Sequence, residues 1–271
     1  YRNNLLDENK GKEAREYLHN RSLDDETAKR YGLGLSLDGE SMVGYMRRKG
    51  YLLKDLEECG LIANTERPYD AFANRIIVPI MDSMSNVIAF GGRIYHGEKD
   101  VAKYKNSTNT ALFDKGRTIY GVNFIKRDKK LNGIAYKELI LVEGYMDVIS
   151  LGASGIKNAV ACMGTALTDG QARELSRMTE TLYVCYDGDG AGKKATIRNV
   201  DILAKFVQQK SSNRGICCPN DSKNRCGKGL ERFCQKAKRG VACHRIQAQT
   251  LRGRKRFRLG QRARKIHTIG T

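Results

Sequence analysis

Two short stretches hold the residues best suited to chemistry: Glu143-Gly144-Tyr145-Met146-Asp147 and Asp187-Gly188-Asp189-Gly190-Ala191-Gly192. Each follows an apolar run of strand length, Glu138–Val142 (ELILV) and Leu182–Tyr186 (LYVCY). Glu143 therefore falls at the carboxyl end of a strand, with Asp147 one helical turn further on. Asp187 and Asp189 alternate in a glycine-flanked loop, so both carboxylates can face one point. Acids gathered in this way repel one another unless a cation sits between them. Hard oxygen donors suit Mg²⁺ or Mn²⁺, which keep some waters and bridge to phosphate oxygens. Metal-assisted phosphoryl chemistry is the reaction class that follows. Asp-Gly-Asp-Gly alone is an ordinary turn sequence; the second acidic cluster at another strand end makes it more. A phosphate-binding loop fails on spacing, because Gly188 and Gly192 enclose three residues and Lys193 precedes another lysine.

The elements that must position these acids alternate between strand and helix from Lys137 onward. Strands are expected at 138–142, 159–162 and 182–186, and helices at 145–151, 169–177 and 192–206. That alternation predicts a parallel sheet with right-handed crossovers. Ligands on such sheets bind at the carboxyl ends of the strands. Upstream the pattern differs. Helices are expected over 11–19, after Ser22 up to Gly32, from Ser41 to Gly50, and from Leu53 to Gly60. The period then shortens to 2 over 75–80 and 86–90, with MDSMS as the turn and Gly91-Gly92-Arg93 ending the hairpin. Pro79 implies an edge strand or a bulge. A polar stretch, Lys103 to Ser107, precedes a short strand at 117–120.

The 271 residues carry 49 Lys+Arg against 30 Asp+Glu, a formal charge of +19, which points to an anionic partner. No apolar run approaches the eighteen residues of a membrane span, so no membrane association is expected. No charged-then-apolar leader opens the chain, and its start at Tyr1 marks it as a fragment or processed piece. With the cysteine usage, this fits a reducing cytoplasm. The charge is uneven. Residues 207–271 hold eighteen basic and two acidic side chains, leaving 31 and 28 for the first 206 residues. Five of the eight cysteines lie in that tail too, but without the spacing of a zinc knuckle. The tail lacks a sustained period and reads as irregular: a disordered basic arm or out-of-frame sequence.

Glu143-Gly-Tyr-Met-Asp147 followed by Tyr186-Asp-Gly-Asp189-x-Ala-Gly192 resembles the Toprim metal site of bacterial DnaG-type primases. The intervening AVACMGTALTDGQARELSR resembles the same family. So do Arg75-Ile-Ile-Val-Pro-Ile, Val87-Ile-Ala-Phe-Gly-Gly-Arg93, Lys103-Tyr-Lys-Asn-Ser107 and Tyr120-Gly. The resemblance runs from about residue 10 to 206. It implies an α/β fold: a mixed α/β amino-terminal subdomain over 1–130, a Toprim subdomain with a Rossmann-like parallel sheet over 131–206, and the tail over 207–271.

The resemblance also implies roles. Glu143, Asp187 and Asp189 would be catalytic and hold Mg²⁺ or Mn²⁺, with Asp147 supporting them. Arg75, Arg93, Lys103, Tyr104 and Asn106 would contact incoming nucleotides or the template. The implied activity is DNA-templated synthesis of short RNA primers from NTPs on single-stranded DNA, with a replicative helicase as partner of the full-length protein. Another Toprim enzyme, a nuclease or topoisomerase fragment, is the alternative; a non-catalytic metal-stabilised nucleic-acid-binding module is a third reading. Neither the family's zinc ribbon nor its helicase-binding domain is recognisable in the chain. The family's aspartate-rich loop after residue 206 is also missing, with only Pro219-Asn220-Asp221-Ser222 in its place.

Overall fold

The computed structural model describes residues 1–96, 101–164, 166–179, 181–187, 190–207, 215–217 and 241–244. In chain order the described elements are α1 (Arg2–Leu6), α2 (Lys12–His19), α3 (Asp25–Tyr31), β1 (Gly34–Ser36), α4 (Ser41–Arg48) and α5 (Leu53–Glu58). Next come β2 (Arg75–Met81), β3 (Val87–Ile94), β4 (Tyr104–Asn106), β5 (Ile119–Tyr120) and α6 (Val122–Asn132). The acidic stretches are framed by β6 (Glu138–Val142), α7 (Tyr145–Ala153), β7 (Ala159–Cys162), α8 (Asp169–Met178), β8 (Thr181–Asp187) and α9 (Gly190–Val207). Two short strands close the series, β9 (Gly215–Cys217) and β10 (Val241–His244). None of the described helices is long and apolar enough to cross a membrane.

The chain divides into two compact units, residues 1–135 with 144–165, and residues 136–143 with 166 onward. The first unit holds an antiparallel sheet in the order β1-β2-β3-β4, and a separate antiparallel pair of β5 with β7. Its helices begin where local chemistry allows. Asp24, rather than Ser22, caps α3 by accepting the Thr27 N–H at 2.8 Å. Ser22 instead sits at φ 59 in the preceding turn, so the helix starts two residues later than the Ser22 signal suggests. Gly32 closes α3 in the left-handed region, as its position predicts. Aromatic rings fill the space between α3 and α6, with Tyr31 edge-on to Phe124 at 4.7 Å and Arg30 bonded to Asp128 at 3.0 Å.

Pro79 satisfies both expectations for it. It pairs with Phe90 of β3, while β1 reaches only as far as Ile77 on the other side, so the β2 edge is locally free at Pro79. The register also shifts between Ile80 and Met81. Asp82 organises the following turn by accepting from the Met84 and Asn86 N–H groups at 2.8 and 2.9 Å.

One expectation is corrected. Gly91-Gly92-Arg93 does not end the hairpin but continues β3 to Ile94, paired with β2 on one side and β4 on the other. The glycines are there for room. A Cβ on Gly91 would lie 2.7–2.8 Å from the Tyr145 ring and hydroxyl, and one on Gly92 would lie 2.9 Å from Phe72 and Arg75. Side chains at these positions would displace the first turn of α7 and the buried Arg75.

The second unit contains a mixed sheet. β6 and β8 run parallel, from Glu138 opposite Thr181 to Val142 opposite Cys185. Glu143 and Asp187 are therefore at corresponding ends. The outer side of β8 pairs in parallel with β9 along Thr181–Tyr183, and antiparallel with β10 along Val184–Asp187. These two strands fall in the region expected to be irregular; the rest of it lies outside the described residues. α8 begins with a reciprocal cap, Thr168 and Gln171 each accepting the other's N–H at 3.1 and 3.0 Å. α9 packs its Asn199 against β8, where the Asn199 amide donates to the Tyr186 hydroxyl at 2.6 Å.

Gly91→Ala is expected to destabilise the protein by about 1–3 kcal/mol through overpacking against Tyr145. Urea denaturation measures it, and an unchanged midpoint would mean that Tyr145 yields freely.

Candidate metal centre and phosphate-binding residues

In the second unit the ends of β6 and β8 are joined by one hydrogen bond. The Asp187 backbone N–H donates to Glu143 Oε1 at 2.9 Å. This bond fixes the Glu143 carboxylate beside the point where Asp187 leaves the sheet, and both side chains are exposed. Gly192, in the first turn of α9, permits the close approach of the Asp187 carbonyl and the Glu143 carboxylate. A Cβ there would come within 3.0 Å of Glu143 Oε1 and closer still to the Asp187 carbonyl. The result is a cradle lined by hard oxygen donors, which fits a divalent cation of the Mg²⁺ type. Asp189, the third expected donor, lies outside the described residues. Among the described residues no three His, Cys, Asp or Glu side chains are gathered around a common point.

Asp147 sits in the first unit, at the start of α7. Its Oδ2 accepts the Gly144 N–H at 3.1 Å, so the carboxylate caps its own helix. That bond holds the turn leading out of the Glu143 position. Asp147 is exposed.

The basic residues of the first unit differ sharply in exposure. Lys103 and Tyr104 are at the surface, at and just before β4. Arg75 and Arg93 are buried, with 6% and 3% of their surface exposed. Arg75 points a guanidinium N–H towards the Lys103 carbonyl at 3.5 Å. Arg93 lies opposite Tyr104 in the β3–β4 register, and its guanidinium rests 4.8 Å from the centre of the Tyr104 ring. Tyr104 in turn stands edge-on to Tyr145 at 6.0 Å. Burial pushes the Tyr145 phenol well above its usual range, against the opposing pull of the Arg93 and Arg75 charges. Asn106 pairs with Gly91, and its buried Oδ1 has no hydrogen-bond partner among the described residues. Gly164 leaves space beside the Asn106 amide, since a Cβ there would lie 3.4 Å from Nδ2.

Thus Arg75, Arg93, Lys103, Tyr104 and Asn106 are assembled on adjacent strands of one unit, and Glu143 and Asp187 in the other. Tyr17 lies in the helix expected over 11–19 with nothing in sequence to single it out, yet its hydroxyl accepts the Arg93 Nε–H at 2.6 Å. Cys162 and Cys185 are buried, and burial pushes the Cys162 thiol up to about 12, away from reactivity.

Residues 1–126 match the family described as DNA primase catalytic core, N-terminal domain, and residues 140–220 match a Toprim-like family. A DNA primase of Clostridium acetobutylicum is 43% identical over 192 residues, covering 70% of this chain and 31% of that protein. The chain spans about a third of the length of the curated relatives it matches. Among solved structures, a DnaG catalytic core is 30% identical with a TM-score of 0.70, covering 87% of this chain and 72% of that one. A DnaG primase catalytic domain bound to ssDNA is 28% identical with a TM-score of 0.72, covering 90% and 75%. Toprim primases as a family use divalent metal.

Gly192→Ala is expected to lower Mn²⁺ affinity about tenfold or more, because the added methyl fills the cradle beside Glu143. Mn²⁺ titration followed by electron paramagnetic resonance reads the change. Wild-type affinity in this variant would place the cation elsewhere.

Proposed function

Since the chain belongs to the family of DnaG-type DNA primase catalytic cores, we propose that it makes short RNA primers from NTPs on a single-stranded DNA template. The observation that carries this reading is the Glu143–Asp187 pairing at the ends of two parallel strands, a close approach that Gly192 permits. Glu143, Asp187 and Asp189 hold Mg²⁺ or Mn²⁺, and Asp147 supports the turn from which Glu143 projects. When bound, the metal supplies charge neutralisation at the triphosphate and an activated primer 3′-hydroxyl. The residues themselves do the placing. The Asp187 N–H orients the Glu143 carboxylate, which would supply oxygen to the cation. Arg93 and Arg75 take phosphate oxygens through their planar donor forks. Lys103 adds an exposed point charge, Tyr104 a stacking face, and Asn106 an acceptor for a base or sugar donor. No protein nucleophile is needed, because the attacking group belongs to the growing primer.

The single-stranded template is supported by the ssDNA-bound relative, and a replicative helicase is the partner proposed for the full-length protein. A cytoplasmic location follows from that role. We place the subdomain boundaries at 1–130 and 131–206.

Primer synthesis from NTPs on single-stranded DNA tests the activity. Asp187→Ala and Asp189→Ala should each reduce it at least about a hundredfold, if each removes several kcal/mol of charge stabilisation. Undiminished synthesis in both variants would remove the metal-site assignment. Strongly salt-dependent DNA binding with no nucleotide incorporation by the unaltered chain would favour a binding module instead.

Residues 221–271, beyond the Toprim-like match that ends at residue 220, are proposed to be out-of-frame sequence, because basic charge and cysteine are high where the family's continuation belongs. Resequencing the coding DNA between the Phe206 and Asp221 codons should uncover a one-base shift that restores an acidic continuation. A clean reading frame would overturn this.

A further inference from the structure

Arg93 presents a physical problem that the acidic pair does not. It is 3% exposed, and removing a guanidinium from water is costly unless the charge is paired and its donors are bonded. Arg30 solves the problem with Asp128 at 3.0 Å. Among the described residues Arg93 has no such carboxylate. Its compensation is neutral: the Nε–H bond to the Tyr17 hydroxyl at 2.6 Å, and the rings of Tyr17 and Tyr104 at 5.7 and 4.8 Å from its central carbon. Two aromatic faces and one hydroxyl can shelter a cation without cancelling its charge. Spending Nε on Tyr17 also leaves the two terminal nitrogens, the pair that forks onto a phosphate, for another acceptor.

Tyr17 is itself held in place. The Arg21 guanidinium lies 5.0 Å from its ring centre, and the Tyr95 ring meets it edge-on at 6.5 Å. His96 stacks on Tyr95 at 3.8 Å and pairs with Glu13 of α2 at 3.1 Å. Glu13 and Tyr17 are one turn apart on the same helix, so the chain of contacts closes on α2. The helix behaves as a brace against the end of β3.

We infer that Tyr17 is a positioning residue, which holds the uncompensated Arg93 guanidinium with its terminal nitrogens presented to a phosphate of the bound nucleotide or nucleic acid. This rests on the proposed role of Arg93 in phosphate binding and adds the group that makes it effective. A neutral partner is the suitable one. A carboxylate at position 17 would hold Arg93 equally well but would compete with the phosphate for its charge.

The test is a double-mutant cycle on the 271-residue chain with Tyr17→Phe, Arg93→Ala and the combination. Binding of a fluorescein-labelled oligodeoxythymidylate and of ATP with Mg²⁺ is measured separately, alongside thermal midpoints. Tyr17→Phe removes one oxygen and keeps the ring. It should weaken one of the two ligands about three- to tenfold, the range of a typical single hydrogen bond. The affected ligand identifies whether the phosphate belongs to nucleotide or template. In the Arg93→Ala background the same substitution should have no further effect, and contributions from the rest of the chain cancel in the cycle. Unchanged binding of both ligands by Tyr17→Phe, or an equal loss in the Arg93→Ala background, overturns the role of Tyr17. A fall in the thermal midpoint that accounts for the whole loss does the same. Wild-type binding by Arg93→Ala alone is a different failure: it removes the phosphate-binding reading of Arg93 and the premise with it.

Discussion

Carboxylates brought close together repel each other, and in the second unit the strand register carries two acids to corresponding ends of adjacent parallel strands. These are Glu143 and Asp187, at the ends of β6 and β8. A single backbone bond, from the Asp187 N–H to Glu143 Oε1, then places the two groups together. That donor is neutral and removes only part of the repulsion. Gly192 permits the close approach of the Asp187 carbonyl and the Glu143 carboxylate. A helix with alanine at that position would be intrinsically more stable, since glycine costs about 1 kcal/mol within a helix. The close approach at the acids thus takes precedence over helix propensity.

The first unit manages charge of the opposite sign by a different route. Its acids are used structurally. Asp24 and Asp147 cap helices, Asp82 closes a turn, and Asp70 accepts from Ser36 and from the Phe72 N–H in the core. Arg93 is left with aromatic and hydroxyl neighbours. A buried cation sheltered in this way, with no carboxylate paired to it among the described residues, keeps a strong field because little water screens it. The glycine pair in β3 belongs to the same arrangement, since it lets Tyr145 and Arg75 lie against the strand that carries Arg93.

Most of this fold is legible in local sequence. The strands Glu138–Val142, Ala159–Cys162 and Thr181–Asp187 stand out because strands buried on both faces are continuous apolar runs. Their following helices were placed within a few residues for the same reason. The acids were legible because residue type and strand end are both local properties. What escaped depends on distant contacts. Gly91-Gly92 reads as a stop when taken alone and is a strand interior because Tyr145 needs the room. The helix Val122–Asn132 was missed, its few apolar residues being outnumbered by polar and charged ones, although Gly121 and Gly133 bracket it with positive φ. The burial of Arg93 is set by Tyr17, 76 residues away in sequence, and no periodicity reports a contact of that range.

The difference in exposure between the two charge sets bears on the nucleotidyl transfer proposed for this chain. Glu143 and Asp187 are open to water, where an ion pair with a cation is weakened by the high dielectric. A metal held by Glu143 and Asp187 would exchange readily with solvent. Arg93 cannot be hydrated so readily, and a phosphate that reaches it gains more than one meeting an exposed lysine such as Lys103 would. The solvated acids therefore favour exchange, while the sheltered arginine favours a fixed phosphate position. On the proposed function, exchangeable metal and a fixed phosphate position would both serve repeated addition to a growing strand.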